Sequence, residues 1–176
     1  MRQILTLSIV VLASLICCQS YGQLTDWGRN NNETAWAYGD HELRDYVKSN
    51  RWGWFNDLEI TQGQWYRYPI YASAGNNDIE KGELVGTVGI QYSHNLNCGS
   101  YAVVFMHEGY ELKSVHYQAD HVLPPTSAPG QFNRNSNLFI TPEDTGGIGA
   151  VFYMPAYTFD GSPIYTALHA VVAEKE

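Results

Sequence analysis

The chain contains 176 residues, of which 44% are hydrophobic, and carries a formal net charge of -8. This acidic balance argues against nucleic acid and anionic membrane surfaces as partners, because both repel a negatively charged protein. The length is sufficient for one domain of ordinary size with its own core. No apolar segment reaches the roughly twenty residues that a membrane-spanning helix requires, so no membrane span is predicted.

The N-terminus has the layout of a secretory signal peptide. A short basic start with Arg2 precedes the apolar run Ile4–Cys18, and a polar exit with small residues follows at Gln19–Gln23. We therefore predict a signal peptide at residues 1–22, a single domain at residues 23–176, and a secreted, extracellular location. Removal of Arg2 with the leader changes the net charge from -8 to -9. A membrane anchor is the alternative, although the apolar run is short for one.

The three cysteines are distributed unusually for an exported protein. Cys17 and Cys18 lie in the predicted leader, so only Cys98 remains in the mature chain. The mature fold is therefore held together by its core and not by an intramolecular disulfide. Lipid attachment at Cys17 would make the protein a lipoprotein, but the bulky Ile16 stands where a small residue is normally required.

Two residues of the mature chain are candidates for covalent modification, one by a disulfide bond and one by a glycan. Cys98 lies in a turn-like stretch and could form an intermolecular disulfide, or it could remain a free thiol. The triplet that begins at Asn32 (Asn-Glu-Thr) is a glycosylation acceptor in a host that adds N-glycans.

Strand-like segments, separated by Gly, Pro, Asn and Asp, follow along the rest of the chain. Apolar and polar residues alternate in Glu83–Ser93 and in Gln64–Ala72, which is typical of half-buried strands. Pro69 lacks an amide donor and places the second of these strands at a sheet edge or at a bulge. Tyr101–His107 and Ile164–Ala173 are apolar on both faces, so we predict central strands that are covered on both sides.

The remaining segments complete an all-β pattern. Weaker strands are predicted at residues 34–38, 51–55, 112–119 and 150–155, one short helix within residues 40–49, and long loops at 74–82 and 120–137. Many short strands with frequent turn residues favour an antiparallel β-sandwich of the jelly-roll or immunoglobulin-like type, with about eight to nine strands.

Six short segments stand out together in one order along the chain: Glu33–Gly39 (ETAWAYG), Asn50–Trp54 (NRWGW), Ile70–Gly75 (IYASAG), Lys81–Thr87 (KGELVGT), Ala128–Phe132 (APGQF) and Ile164–Val172 (IYTALHAVV). In combination they resemble a module found in secreted, surface-associated proteins, many of them from marine bacteria. The resemblance covers most of the mature chain and implies no particular activity or catalytic residue. Such modules often carry a cysteine after the Ala-Gly pair, where this chain has Asn76 and Asn77, so no shared disulfide is implied.

Aromatic residues give the first candidate site. All five tryptophans lie within residues 27–65. Trp52 and Trp54 are two positions apart and would share one face of a strand, and Tyr66 and Tyr68 would do the same. A row of exposed rings can stack on sugar rings while polar neighbours bind the hydroxyl groups. The alternative is that these rings form part of the core.

An oxygen-rich loop gives the second candidate site. Asn77, Asp78, Glu80 and Glu83 supply carboxylate and amide oxygens, which calcium prefers as ligands. Their spacing does not match an EF-hand loop, and a solvated polar turn is the alternative. Calcium is the only cofactor that the sequence suggests.

Histidines give no clear transition-metal motif. His116 and Asp120 could share a strand face, whereas His121 would point to the opposite side, and no third ligand is evident.

Motifs for catalysis are also absent from the sequence: it has no nucleophile elbow, no zinc-protease motif and no phosphate-binding glycine-rich loop. A glycosidase needs two carboxylates across a cleft. Only scattered candidates exist for such a pair, namely Glu59, Asp78, Glu108 and Glu111.

These patterns predict a secreted, non-catalytic extracellular or cell-surface protein that acts by adhesion or glycan binding, with an extracellular glycan or matrix as its partner. The alternative is an acidic structural matrix protein that binds calcium or mineral. A glycoside hydrolase-like enzyme is the third interpretation.

Overall fold

A computed structural model describes residues 32–92, 100–132, 137–140, 148–154 and 162–175. The predicted signal peptide and Cys98 lie outside the described residues, so the predictions made for them stay predictions. Asn32 is exposed at the start of the first described range. Among the described residues, no helix has the length and apolar character needed to cross a membrane.

The described residues form ten β-strands and one short helix. In chain order these are β1 (Glu33–Ala37), β2 (His41–Glu42), α1 (Leu43–Tyr46), β3 (Trp54–Leu58), β4 (Trp65–Ala72), β5 (Glu83–Gln91), β6 (Ser100–Met106), β7 (Tyr110–Asp120), β8 (Asn137–Ile140), β9 (Ile148–Met154) and β10 (Ile164–Glu174). Single 3₁₀ turns lie at Gly75–Asn77 and Pro129–Gln131. The predicted all-β class and the predicted short helix within residues 40–49 are confirmed.

All strand pairs are antiparallel, and the strands follow the order β2-β3-β10-β1-β4-β5-β6-β9-β8. β10 is the hub of this sheet, because β3 and β1 occupy successive parts of one edge while β7 pairs along the other. The sheet curves until β7 approaches β9, where the rings of Tyr117 and Phe152 lie 5.1 Å apart. The strands form one hydrogen-bonded path, so the two-sheet arrangement of a sandwich is not confirmed.

Two hydrophobic cores lie on opposite faces of this sheet. The inner core fills the concave face and includes Ile70, Val88, Val104 and Leu168 among its buried members. The outer core is smaller and is built largely from aromatic rings: Trp36, Leu43, Trp54, Phe55, Ala74, Phe132 and Ala167. Burial of one large apolar side chain contributes about 1.5–3 kcal/mol relative to exposure, so both cores stabilise the sheet substantially.

Strand β10 is covered on both faces, as predicted, because Leu168 belongs to the inner core and Ala167 to the outer core. β6 is central as predicted, because it pairs with β5 on one edge and β9 on the other, but the predicted cover on both faces is only partial. Tyr101, Val103 and Phe105 point to a face that is only half covered, whereas the alternate residues of this strand are buried.

Pro69 lies within β4, which pairs with β1 on one edge and β5 on the other, so it is not in an edge strand. The register of the β4–β5 pair shifts between Ile70 and Tyr71, directly after the proline. The bulge alternative is therefore confirmed. Pro69 still accepts a hydrogen bond, because the backbone N–H of Tyr38 donates to its carbonyl oxygen at 2.8 Å.

Candidate ligand-binding cleft

A cavity of about 400 Å³ opens on the outer face of the sheet, above β1 and β10. Eight described residues line it: Thr34, Trp36, Asn50, Arg51, Trp52, Ser127, Pro129 and His169. We call this cavity the Trp52 cleft. Its volume falls in the range of pockets that bind small molecules.

The floor of the cleft is formed by two rings on neighbouring strands. Trp36 of β1 and His169 of β10 are register partners, and their ring centroids lie 5.0 Å apart in an edge-on arrangement. Phe132 contacts Trp36 from the side, with the ring centroids 5.9 Å apart. Trp36 is 2% exposed, so the floor is part of the outer core and is held rigidly by packing.

Trp52 forms one wall of the cleft. It lies just before β3 and is half-buried, so part of its ring remains accessible. Its ring packs edge-on against that of Trp54, with the centroids 5.6 Å apart, and Trp54 in turn contacts Tyr38 at 5.4 Å. This support fixes the orientation of the Trp52 ring without covering it completely.

Gly53 connects the wall of the cleft to its floor, at a position that has no room for a side chain. Its φ angle is 150°, and a Cβ atom at this position would lie 2.7 Å from the ring of Trp36. The backbone N–H of Leu43 donates to the Gly53 carbonyl oxygen at 2.9 Å, which anchors this segment to the short helix α1. The close approach of Gly53 to Trp36 therefore determines where Trp52 stands.

Asn77 holds the same glycine from the other side. Its side-chain Nδ2 donates to the carbonyl oxygen of Gly53 at 2.9 Å, and its Oδ1 accepts from the N–H of Gly53 at 3.3 Å. Asn77 has a φ of 62°, a left-handed conformation that Asn tolerates better than most residues. Asn77 was predicted as a candidate calcium ligand, with a solvated polar turn as the alternative, whereas in the structure the Nδ2 and Oδ1 atoms of its side-chain amide both bind Gly53 and position the wall of the cleft.

Replacement of Asn77 with alanine is expected to destabilise the protein by about 1–3 kcal/mol beyond the backbone effect, because two hydrogen bonds are lost and Gly53 loses partners. Asn76→Ala is the matched control, since Asn76 has a nearly identical φ of 64° and an exposed side chain. Urea unfolding of both variants measures the difference. Equal destabilisation by the two substitutions would contradict the positioning role of Asn77.

The opposite wall is tied to the Trp52 segment by hydroxyl groups. The Oγ of Ser127 donates to the Oγ of Ser49 at 2.5 Å, and the same Ser49 Oγ accepts from the N–H of Arg51 at 3.0 Å. The Oγ1 of Thr126 accepts from the N–H of Ala128 at 3.0 Å, which closes the turn beside Pro129. The two loops that form the walls are thus joined across the cleft.

The charge within the cleft is small and positive. Burial, and then the neighbouring His116, lower the pKa of His169 to about 4, so its imidazole is neutral at pH 7. Of the eight described lining residues, Arg51 alone is then charged, and its side chain is exposed at the rim. The cleft therefore offers hydrogen-bond donors and flat apolar surface.

The four predicted stacking rings do not form one exposed row. Only Trp52 borders the cleft, and Trp54 is 2% exposed within the outer core. Tyr66 and Tyr68 pack on the other side of the sheet against the inner core, and burial raises the pKa of Tyr68. The Tyr66 hydroxyl donates to the carbonyl oxygen of Glu59 at 2.7 Å, which shows a structural role for this ring.

Three of the four predicted calcium ligands, Asn77, Asp78 and Glu83, have side-chain hydrogen-bond partners in the protein. Asp78 forms an ion pair with Lys81, with Oδ2 2.7 Å from Nζ, and this hydrogen bond lowers the pKa of Asp78. Glu83 accepts a hydrogen bond from the hydroxyl of Tyr110, and Glu80 is exposed. Within the described ranges, no three His, Cys, Asp or Glu side chains group in a metal-binding arrangement. Calcium binding at this loop stays a prediction.

Sequence analysis did not identify Trp36, Asn50, Arg51, Ser127 or His169 as site residues. The run Asn-Arg-Trp at positions 50–52 was visible as a polar pair beside an aromatic residue. The other three lie far away along the chain, and only the pairing of β1 with β10 and the return of the loop after β7 bring them together.

Comparison of the chain with protein family models, curated proteins and solved structures gives no match. The function of the protein is therefore inferred from the geometry of the Trp52 cleft.

Proposed function

We propose that the protein is a non-catalytic extracellular binding protein and that the Trp52 cleft takes a glycan. The observation that carries this proposal is the half-buried ring of Trp52, held edge-on by Trp54 and placed directly beside Asn50 and Arg51. Sugars present an apolar face of C–H groups and a rim of hydroxyl groups. A fixed aromatic ring matches the first, and amide and guanidinium groups match the second.

The chemistry of the lining supports binding without hydrolysis. Glycoside hydrolysis requires a pair of carboxylic acids that face each other across the bond. None of the eight described lining residues carries a carboxylate. The net charge of -8, together with the predicted signal peptide, fits a protein that works outside the cell in contact with a matrix or a surface.

A glycan array with the purified protein, followed by titration of the best glycan, tests this function. Trp52→Ala is expected to weaken the affinity at least about tenfold, because loss of the stacking surface costs roughly 1.4 kcal/mol or more. Trp65→Ala is the matched control, since Trp65 is a tryptophan that is 39% exposed and does not line the cleft. Failure to bind any glycan, or an equal loss in both variants, would refute the proposal.

A further inference from the structure

Two histidines face each other beside the floor of the Trp52 cleft. His116 of β7 and His169 of β10 are register partners in an antiparallel pair, so their side chains leave the sheet on the same face. Their ring centroids lie 5.6 Å apart, with the ring planes tilted by 43°. This face is the outer one, because His169 also lines the cleft.

We propose that His116 and His169 form a two-histidine site for a divalent transition-metal ion of the zinc class. A zinc–nitrogen bond is about 2.0–2.1 Å, and a ring nitrogen lies about 1.1 Å from its ring centroid, so two ligands at a tetrahedral angle place their centroids about 5.1–5.2 Å apart. The observed separation of 5.6 Å is close to this value.

The surroundings of this pair contain polar atoms that require a partner. The Nδ1 atom of His169 and the Oε1 atom of Gln118 are buried and have no hydrogen-bond partner among the described residues. Gln118 is 1% exposed and follows His116 by two positions on the same strand face. Buried polar atoms are nearly always satisfied, so two such atoms beside one histidine pair indicate a bound group.

A hydrated metal ion would supply a partner for both the imidazole nitrogen of His169 and the amide oxygen of Gln118. An imidazole nitrogen with a free lone pair is a metal ligand, and the neutral form of His169 is the form that binds. The Oε1 atom of Gln118 can only accept a hydrogen bond, which a metal-bound water can donate. Imidazole ligands favour zinc, copper and nickel over calcium, and two protein ligands leave coordination positions for water. This proposal does not depend on glycan binding.

Thermal unfolding of chelator-treated protein, with and without zinc chloride, tests the site. At a zinc concentration about one hundred times the dissociation constant, the melting temperature is expected to rise by about 5–10 °C. Calcium chloride at the same concentration is expected to cause no rise. His116→Ala should abolish the zinc effect, and His107→Ala should retain it, since His107 is an exposed residue in the turn before β7. Retention of the zinc effect in His116→Ala, or its loss in His107→Ala, would overturn the proposal.

Nuclear magnetic resonance of the imidazole groups provides a second measurement that needs no variant at the site. Zinc is expected to shift the ring nitrogen signals of His116 and His169 together, at one equivalent, and to leave that of His107 unchanged. Signals of the paired histidines that do not respond to zinc would show that the pair is not a metal site.

Discussion

Gly53→Ala is expected to lower the free energy of unfolding by about 3–5 kcal/mol. Two effects combine at this position. The φ angle of 150° lies in a region that only glycine adopts readily, and the added Cβ would stand 2.7 Å from the Trp36 ring. Trp36 cannot move away easily, because it is packed between Phe132 and His169.

Alanine substitutions at two other glycines separate the cost of backbone strain from the cost of the steric clash. Gly63 has a φ of 75° with nothing within 4 Å of the added Cβ, so Gly63→Ala should show only the backbone cost of about 1–2 kcal/mol. Gly130 also has open space and does not have a positive φ, so Gly130→Ala should be close to neutral. Urea unfolding of the three variants should give the order Gly53, Gly63, Gly130. If Gly53→Ala were as stable as Gly63→Ala or more stable, the close contact between Gly53 and Trp36 would be contradicted.

The fold class could be predicted because it depends on local patterns. The run in Ile164–Ala173 that is apolar at both odd and even positions correctly identified β10 as a strand with cores on both faces. The same pattern in β6 was misleading. Val103 and Phe105 are apolar but lie on a half-covered face, because coverage depends on what packs over a strand and not on the strand itself.

The cleft could be predicted only in part, since its geometry comes from register and from long-range contacts. Trp52 and Trp54 are two positions apart, and this spacing places them on one face only if both belong to a strand. The strand begins at Trp54, and Gly53, with its φ of 150°, leaves Trp52 at the rim while Trp54 is buried. Similarly, no local pattern shows that Asn77 bonds to Gly53, 24 positions away along the chain.

The histidine pair is a second feature that could not be predicted from local sequence patterns. His116 and His169 are 53 positions apart in the printed sequence, and neither stands in a motif with the usual spacing of metal ligands. The antiparallel register of β7 and β10 alone makes them neighbours. A shift of that register by one residue would turn one of the two imidazoles to the opposite face of the sheet.

Acidification is expected to destabilise the metal-free protein through His169. Burial in the outer core, and then the proximity of His116, lower the pKa of His169 from 6.5 to about 4. Above pH 6.5 the imidazole is neutral in both the folded and the unfolded chain. Between pH 6.5 and pH 4 the unfolded chain binds a proton at this position and the folded chain does not, so the free energy of unfolding falls with falling pH. The loss amounts to about 3 kcal/mol, at 1.36 kcal/mol for each unit of pKa.

His169→Gln removes the titrating group and retains a polar side chain of similar size. Urea unfolding in the presence of a chelator, between pH 7 and pH 4, should show a shallower loss of stability in this variant than in the parent protein. Asp78, whose lowered pKa makes it titrate at a more acidic pH, is common to both proteins and cancels in their difference. His107→Gln, at an exposed position, should follow the parent curve.

The protonation of His169 also bears on both the proposed zinc site and the proposed glycan-binding cleft, because this imidazole belongs to each. A protonated His169 would carry its charge in a largely apolar floor beside Trp36 and His116, and it could no longer offer a lone pair to a metal ion. Zinc should therefore steepen the loss of stability toward acid in the parent protein, because protons then displace the metal as well. If the His169→Gln and parent curves run parallel from pH 7 to pH 4, the imidazole is not held neutral by burial, and the floor of the cleft is open to water.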